Sequence, residues 1–169
     1  MDVQALEAAK AASVAQLLFK AARLVNDRAL ALVRQQTGLA LRPAHTNLFP
    51  HIDLEGTRLT VLAKRVGISK QAVGQLVDEL VAMGGLERVP DPTDRRAKLI
   101  RFPVVDGEHG IVSGLRVLGM LEADLAAQVG PEAWAGLAEG LRAVLSVVEG
   151  ADPSIRPSPS GLLDPSSAS

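Results

Sequence analysis

The chain has 169 residues, 47% hydrophobic and 22% charged, with three Phe, one Trp and no Tyr. That balance fits one globular domain or a small two-part unit, with a core of Ala, Leu and Val that favours helices. There is no Cys, which excludes disulfides, thiolate metal sites and thiol redox sensing.

The formal net charge is −1, but it is unevenly spread. Residues 58–102 carry nine Lys/Arg against five Asp/Glu, a local surplus of about four. A local positive field draws in a phosphate backbone even when the total is near zero. The opening segment, MDVQALEAAK, lacks the basic start and apolar run of a signal peptide, and no apolar run reaches membrane-span length. The expectation is a cytoplasmic protein with no membrane contact.

Residues 3–36 contain neither Gly nor Pro, and their apolar positions recur at steps of three and four, which predicts one long helix, with room for a bend. Thr37-Gly38 ends it. Two readings stand for this helix: a core element, or part of a dimer interface. A short helix is expected over residues 41–53, opened by Pro43 and limited by Pro50, and residues 54–57 read as a loop.

Residues 58–102 read RLTVLAKRVGISKQAVGQLVDELVAMGGLERVPDPTDRRAKLIRF. Leu59, Leu62, Ala63 and Val66 form one face of a short helix, and Gly67 permits a sharp turn. Ser69 is a good N-cap for a second helix over residues 69–83, with Val73, Leu76, Val77 and Leu80 on its buried face. Gly84-Gly85 stops that helix. Two short strands follow, residues 86–89 and 99–102, joined by a basic turn over residues 90–97. Helix, turn, helix and a two-stranded ribbon with a cationic tip is the plan of a winged helix-turn-helix DNA reader.

A second long helix is expected over residues 106–129, with Gly110, Gly114 and Gly119 weakening its early part. Gly130-Pro131 stops it and starts a last helix, residues 131–149, with Trp134, Leu137, Leu141, Val144, Leu145 and Val148 on one face. The Pro- and Ser-rich end from residue 150 reads as a disordered tail.

The segments GLERVPDPTDRRAKLIRF, residues 85–102, and LAKRVGISKQAVGQLVDEL, residues 62–80, resemble the wing and helix-turn-helix of the MarR family of bacterial transcription regulators. The match is detailed over residues 41–110 and extends to the flanking helices in layout. The resemblance implies a mainly α fold with a small β-wing, in which a winged helix-turn-helix is flanked by long dimerisation helices. It divides the chain into an N-terminal dimerisation helix (residues 1–38), a DNA-binding domain (39–104), C-terminal dimerisation helices (105–150) and a tail (151–169). It also implies a homodimer that binds a pseudo-palindromic operator on double-stranded DNA, usually as a repressor. In many members a small phenolic or anionic effector releases the DNA. The missing Cys sets this chain apart from the peroxide-sensing branch.

Within that frame, Ser69, Lys70, Gln71, Gly74 and Gln75 are the candidate base-reading face of the second reader helix, Gly74 by letting the backbone approach the bases. For an arbitrary helix these would be a solvated face. The motif around them reverses that preference. Arg95 and Arg96 lie at the wing tip, where the resemblance places Arg96 in a minor groove, with Asp94 orienting Arg96 or its neighbour by a charge-assisted contact. Arg88 and Lys98 are candidate phosphate contacts. Arg42, His45, Asn47, Phe49 and His51 border the family's effector pocket, although ordinary surface or interface histidines remain the plainer reading. The six-residue spacing of His45 and His51 does not suit a metal site, and no cofactor is expected. No phosphate-cradling Gly-rich loop, nucleophile elbow or His-Glu-x-x-His pair points to an enzyme. The alternative function is a winged-helix protein-interaction module without sequence-specific DNA binding.

Overall fold

The computed structural model describes residues 2–105 and 107–151. Contacts divide the chain into two compact units, Met1–Pro43 and Ala44–Ser169.

In the first unit, α1 (Val3–Ala12) and α2 (Val14–Thr37) replace the single helix expected there. The break is Ser13, whose backbone is extended (φ −69°, ψ 114°) and whose hydroxyl accepts from the Gln16 amide at 3.4 Å. Serine offers the backbone a local hydrogen bond in place of the helical one, so it caps a new helix where Ala-rich periodicity alone runs straight through. Gly38 ends α2 in the left-handed conformation. Ala29 is the one residue of the two helices that is buried, and Val14, Leu17, Phe19 and Leu24 are exposed.

The second unit holds the reader. The short helix expected over residues 41–53 is instead a single turn, α3 (Pro43–Thr46), and a 3₁₀ turn, Phe49–His51. Two prolines within eight residues, Pro43 and Pro50, leave no room for a longer hydrogen-bonded run. Residues 57 and 58, expected to be loop and helix approach, form strand β1 (Thr57–Arg58). Next come α4 (Leu59–Val66), the left-handed Gly67, and α5 (Lys70–Ala82), whose N-cap Ser69 accepts from the Ala72 amide at 3.2 Å.

The wing is larger than expected. Strands β2 (Glu87–Asp91) and β3 (Asp94–Arg101) run through most of the predicted turn and leave only Pro92 and Thr93 between them. With β1 they make a three-stranded antiparallel sheet in the order β1-β3-β2, rather than a two-stranded ribbon. Arg58 lies opposite Leu99, and Glu87 opposite Arg101, whose side chains pair at 2.7 Å. The register slips between Pro90 and Asp91.

Two further short strands, β4 (Val104–Val105) and β5 (Glu108–His109), pair antiparallel, the second of them lying where a helix was expected from residue 106. Helix α6 (Ile111–Val129) starts only after Gly110, and α7 (Pro131–Ala151) packs on it. Gly107 at φ 84° and two β-branched valines favour the hairpin over a helical turn. Helix α7 takes in residues 150 and 151, where the tail was expected to begin, and the rest of the predicted tail lies outside the described residues.

The core of this unit joins α3, α4, α5 and the sheet. Leu48, Leu62, Val73, Val77, Leu80, Leu86, Ile100 and Phe102 are all buried. Phe49 and Phe102 meet with ring centroids 5.8 Å apart. On α7, by contrast, Leu137, Val144, Leu145 and Val148 are exposed. No helix among the described residues is long and apolar enough to cross a membrane.

Candidate nucleic-acid interface

The buried stripe of α5, Val73, Val77 and Leu80, leaves Ser69, Lys70, Gln71 and Gln75 exposed on the other side near the helix start. That end presents the partial positive charge of an α-helix N-terminus. Gly74 is half-buried, and a Cβ there would stand 3.9 Å from Leu59 Cδ2, so this position borders α4 as well as the exposed face.

At the wing, Asp94, Arg95, Arg96 and Lys98 are exposed. Asp94 Oδ1 accepts the backbone N–H of Arg96 at 3.0 Å. The expected charge-assisted contact to the Arg96 guanidinium is therefore made to its main chain instead, a common Asp motif in tight turns. Among the described residues, no carboxylate pairs with the side chains of Lys70, Arg95, Arg96 or Lys98. These four cations remain available to an external anion. Arg88 differs from them: its Nη1 is paired with Asp78 Oδ1 of α5, which ties β2 to the reader helix.

A groove of about 340 Å³ runs between the start of α5 and the wing. Arg58, Lys70, Arg88 and Lys98 line it, over a floor that includes Leu59 and Ile100. Four cations along an open groove beside a helix N-terminus make a surface for a polyanion.

A polar cluster at the wing, centred on the buried Asp91, escaped the sequence reading. Arg58 Nε donates to Asp91 Oδ2 at 2.6 Å, and Arg58 Nη2 donates to Thr93 Oγ1 at 3.2 Å. The Thr93 amide and hydroxyl both donate to Asp91 Oδ1, at 2.8 and 2.7 Å. The hydrogen bonds from Thr93 and from Arg58 bring the Asp91 carboxyl down to about 2, although its burial works the other way. Asp91 is thus a carboxylate throughout the neutral range, and the same hydrogen bond raises Arg58 further into its charged form. Only the residue pair Pro92-Thr93, typical of a turn, hinted at this arrangement. The partner, Arg58, is 33 residues away in sequence.

The candidate effector residues are not alike. His45 is buried, with Nε2 2.8 Å from Glu79 Oε2 of α5. Phe49 is packed on Phe102. Asn47 is exposed. His51 Nδ1 is buried without a hydrogen-bond partner. Burial lowers the His51 pKa, and the nearby Arg65 charge lowers it further, while Glu149 opposes both. Arg42 lies in the first unit, just before α3. Arg65, itself buried, donates to the His51 carbonyl at 2.8 Å and to Asp53 Oδ2 at 2.9 Å. The segment from α3 to Asp53 is therefore fastened to both reader helices, by His45 to α5 and by Arg65 to α4.

The sequence profile of the MarR family matches residues 44–97, which span α3 to the middle of β3. No curated protein matches the chain in sequence. Among solved structures it is similar to RV1404 from Mycobacterium tuberculosis, at 24% identity and a TM-score of 0.61, over 85% of this chain and 95% of that one. It is equally similar in fold to CouR from Rhodococcus jostii RHA1 bound to p-coumaroyl-CoA, at 22% identity, TM-score 0.61, over 85% and 94% of the two chains. CouR bound to a 23-mer DNA duplex aligns at 22% identity with a TM-score of 0.58, over 78% of this chain and 92% of that one. At these identities the likeness establishes a shared fold.

Proposed function

Taking residues 44–97 as a MarR-family winged helix-turn-helix, we propose that the chain is a transcription regulator, not an enzyme, that binds double-stranded DNA sequence-specifically. The observation that carries this reading is the cationic groove between α5 and the wing, flanked by the exposed side chains of Ser69, Lys70, Gln71, Gln75, Arg95 and Arg96. A helix start of this kind fits the major groove, and a basic hairpin tip fits the adjacent minor groove. Within this proposal Lys70, Lys98 and Arg88 meet phosphates, Arg88 while held by Asp78, and Gly74 lets the helix lie close to the bases.

The chain acts as a homodimer and, in the commonest mode of the family, as a cytoplasmic repressor on a pseudo-palindromic operator. The exposed apolar residues of α2 and of α7 support the dimer, since each is a helix face that water covers poorly. A small phenolic or anionic effector releases the DNA. Asn47 and the unpartnered Nδ1 of His51 are the groups available to it, with Arg42 preceding them, while His45 and Phe49 shape the segment through their contacts with Glu79 and Phe102.

The test is selection of duplexes from a random-sequence pool, followed by anisotropy titration of the recovered DNA. Arg96→Ala is expected to weaken binding by about 1–3 kcal/mol, and affinity is expected to fall steeply with salt. A protein that retains no duplex at low salt would sink the proposal in favour of a protein-interaction module, and an Arg96→Ala variant that binds as wild type does would remove Arg96 from the interface.

A further inference from the structure

Arg58 stands at a junction of three elements. It is the N-cap of α4, it is paired in β1 opposite Leu99 of β3, and its guanidinium reaches Asp91 at the end of β2, beyond the middle strand. Asp91 is only 4% exposed, and its carboxylate is filled by Arg58 and by both donors of Thr93. The hydroxyl of Thr93 closes the ring, donating to Asp91 while accepting from Arg58. The cluster sits where the register of β2 against β3 slips, at the Pro92-Thr93 turn that leads into Arg95 and Arg96 of β3.

Placed for charge alone, Asp91 is in the wrong location. A carboxylate beside a groove of four cations repels a phosphate backbone. Beyond its two residue pairs with β1 the wing is, moreover, only two strands wide, and such a projection pivots unless something fixes its pitch. We propose that Arg58, Asp91 and Thr93 form a lock that sets the angle of the wing against α4, and that Asp91 is a positioning residue that delivers Arg96 to DNA without touching it. This rests on the DNA-binding reading above and assigns the buried carboxylate a role within it.

The lock and simple electrostatics predict opposite signs. Asp91→Asn removes a negative charge beside the groove, so charge alone makes the variant bind DNA more tightly. The lock predicts weaker binding, because an amide cannot accept from all of Arg58 and Thr93 at full strength. Thr93→Val changes no formal charge and breaks the same ring, so charge alone predicts no effect.

Both variants of the full chain are titrated against a duplex selected by the wild type, alone and in an Arg96→Ala background, with helical circular dichroism to verify folding. Asp91→Asn is expected to weaken binding by about tenfold and Thr93→Val by about threefold, corresponding to partial loss of one groove contact. In the Arg96→Ala background each effect is expected to shrink to under about twofold, the non-additivity that marks residues acting through one another. A general structural weakening would persist in both backgrounds. If the wild type binds no duplex, the DNA reading and the lock fall together. If the wild type binds, and the folded variants bind equally or more tightly, or lose the same factor with and without Arg96, only the lock is overturned. Should Asp91→Asn fail to fold, Thr93→Val and its double variant decide the matter by the same criteria.

Discussion

Gly56→Ala isolates the approach to the wing. The Gly56 amide donates to the Asp53 carbonyl at 2.9 Å, and its φ of 115° lies where side-chain-bearing residues are rarely found. A Cβ built there would stand 2.8 Å from Leu99 Cβ and 3.3 Å from Leu99 Cδ1. The first of these atoms is fixed to the backbone of β3 and cannot rotate away. Backbone strain contributes about 1–3 kcal/mol and the forced contact another 1–3 kcal/mol or so. Their sum, about 2–6 kcal/mol, is a large part of the 5–15 kcal/mol or so that stabilises an ordinary domain. Gly67 supplies the control, since its φ is 76° but a Cβ there meets nothing within 4 Å. Gly67→Ala carries only the left-handed strain, about 1–2 kcal/mol. Equilibrium unfolding in urea at one fixed protein concentration is expected to separate the two by about 2 kcal/mol, with Gly56→Ala the weaker protein. Equal midpoints for the two variants would show that β3 yields to the added methyl, and the close approach of residues 56 and 99 would not be a constraint.

Arg65→Ala removes the donor shared by Asp53 Oδ2 and the His51 carbonyl, leaving Asp53 the Thr57 hydroxyl at 3.1 Å, and is expected to cost about 2–4 kcal/mol in the same assay, because the part-buried carboxylate loses its charge partner. Arg65→Lys, which keeps the charge but is shorter and lacks the planar guanidinium, is expected to recover only part of that loss. His51 has a folded-state pKa below its ordinary value of 6.5, so its contribution is fully present above that value. Below it the unfolded chain binds the proton more readily, and stability falls as the pH drops. His51→Gln is expected to flatten the stability profile just below pH 6.5, and an unchanged slope would contradict the burial and the nearby Arg65 charge inferred for the imidazole.

Much of the reader could be read from residue spacing. The face Leu59, Leu62, Ala63 and Val66 fixes α4, because apolar side chains at helical steps must share one side. Ser69 and Gly67 mark the turn by what their backbone and side chain permit. The exposed reading face follows by elimination from the buried one. The wing was under-read because Pro90 and Asp91 look like turn residues, yet an edge strand tolerates a proline whose missing N–H faces away from its neighbour. Strand β1 was missed because two residues carry no periodicity at all. It exists only by virtue of pairing with β3. Residues 107–110 were read as helix for the converse reason, that glycine lowers helical propensity without naming the alternative.

Sequence alone therefore determined the order of the two reader helices and the wing, their buried and exposed sides, and the concentration of cations in residues 58–102. These are local quantities, set by side-chain period, capping and composition. Only the tertiary structure decided which of those cations are committed. Arg88 is held by Asp78, Arg58 by Asp91 and Arg65 by Asp53, whereas Lys70, Arg95, Arg96 and Lys98 are paired with no carboxylate among the described residues. It also decided that His45 is a buried tie to α5 rather than an outward-facing group. Such pairings join residues 10 to 34 positions apart, and an ion pair at that separation is fixed by how the sheet and helices are packed, not by spacing along the chain.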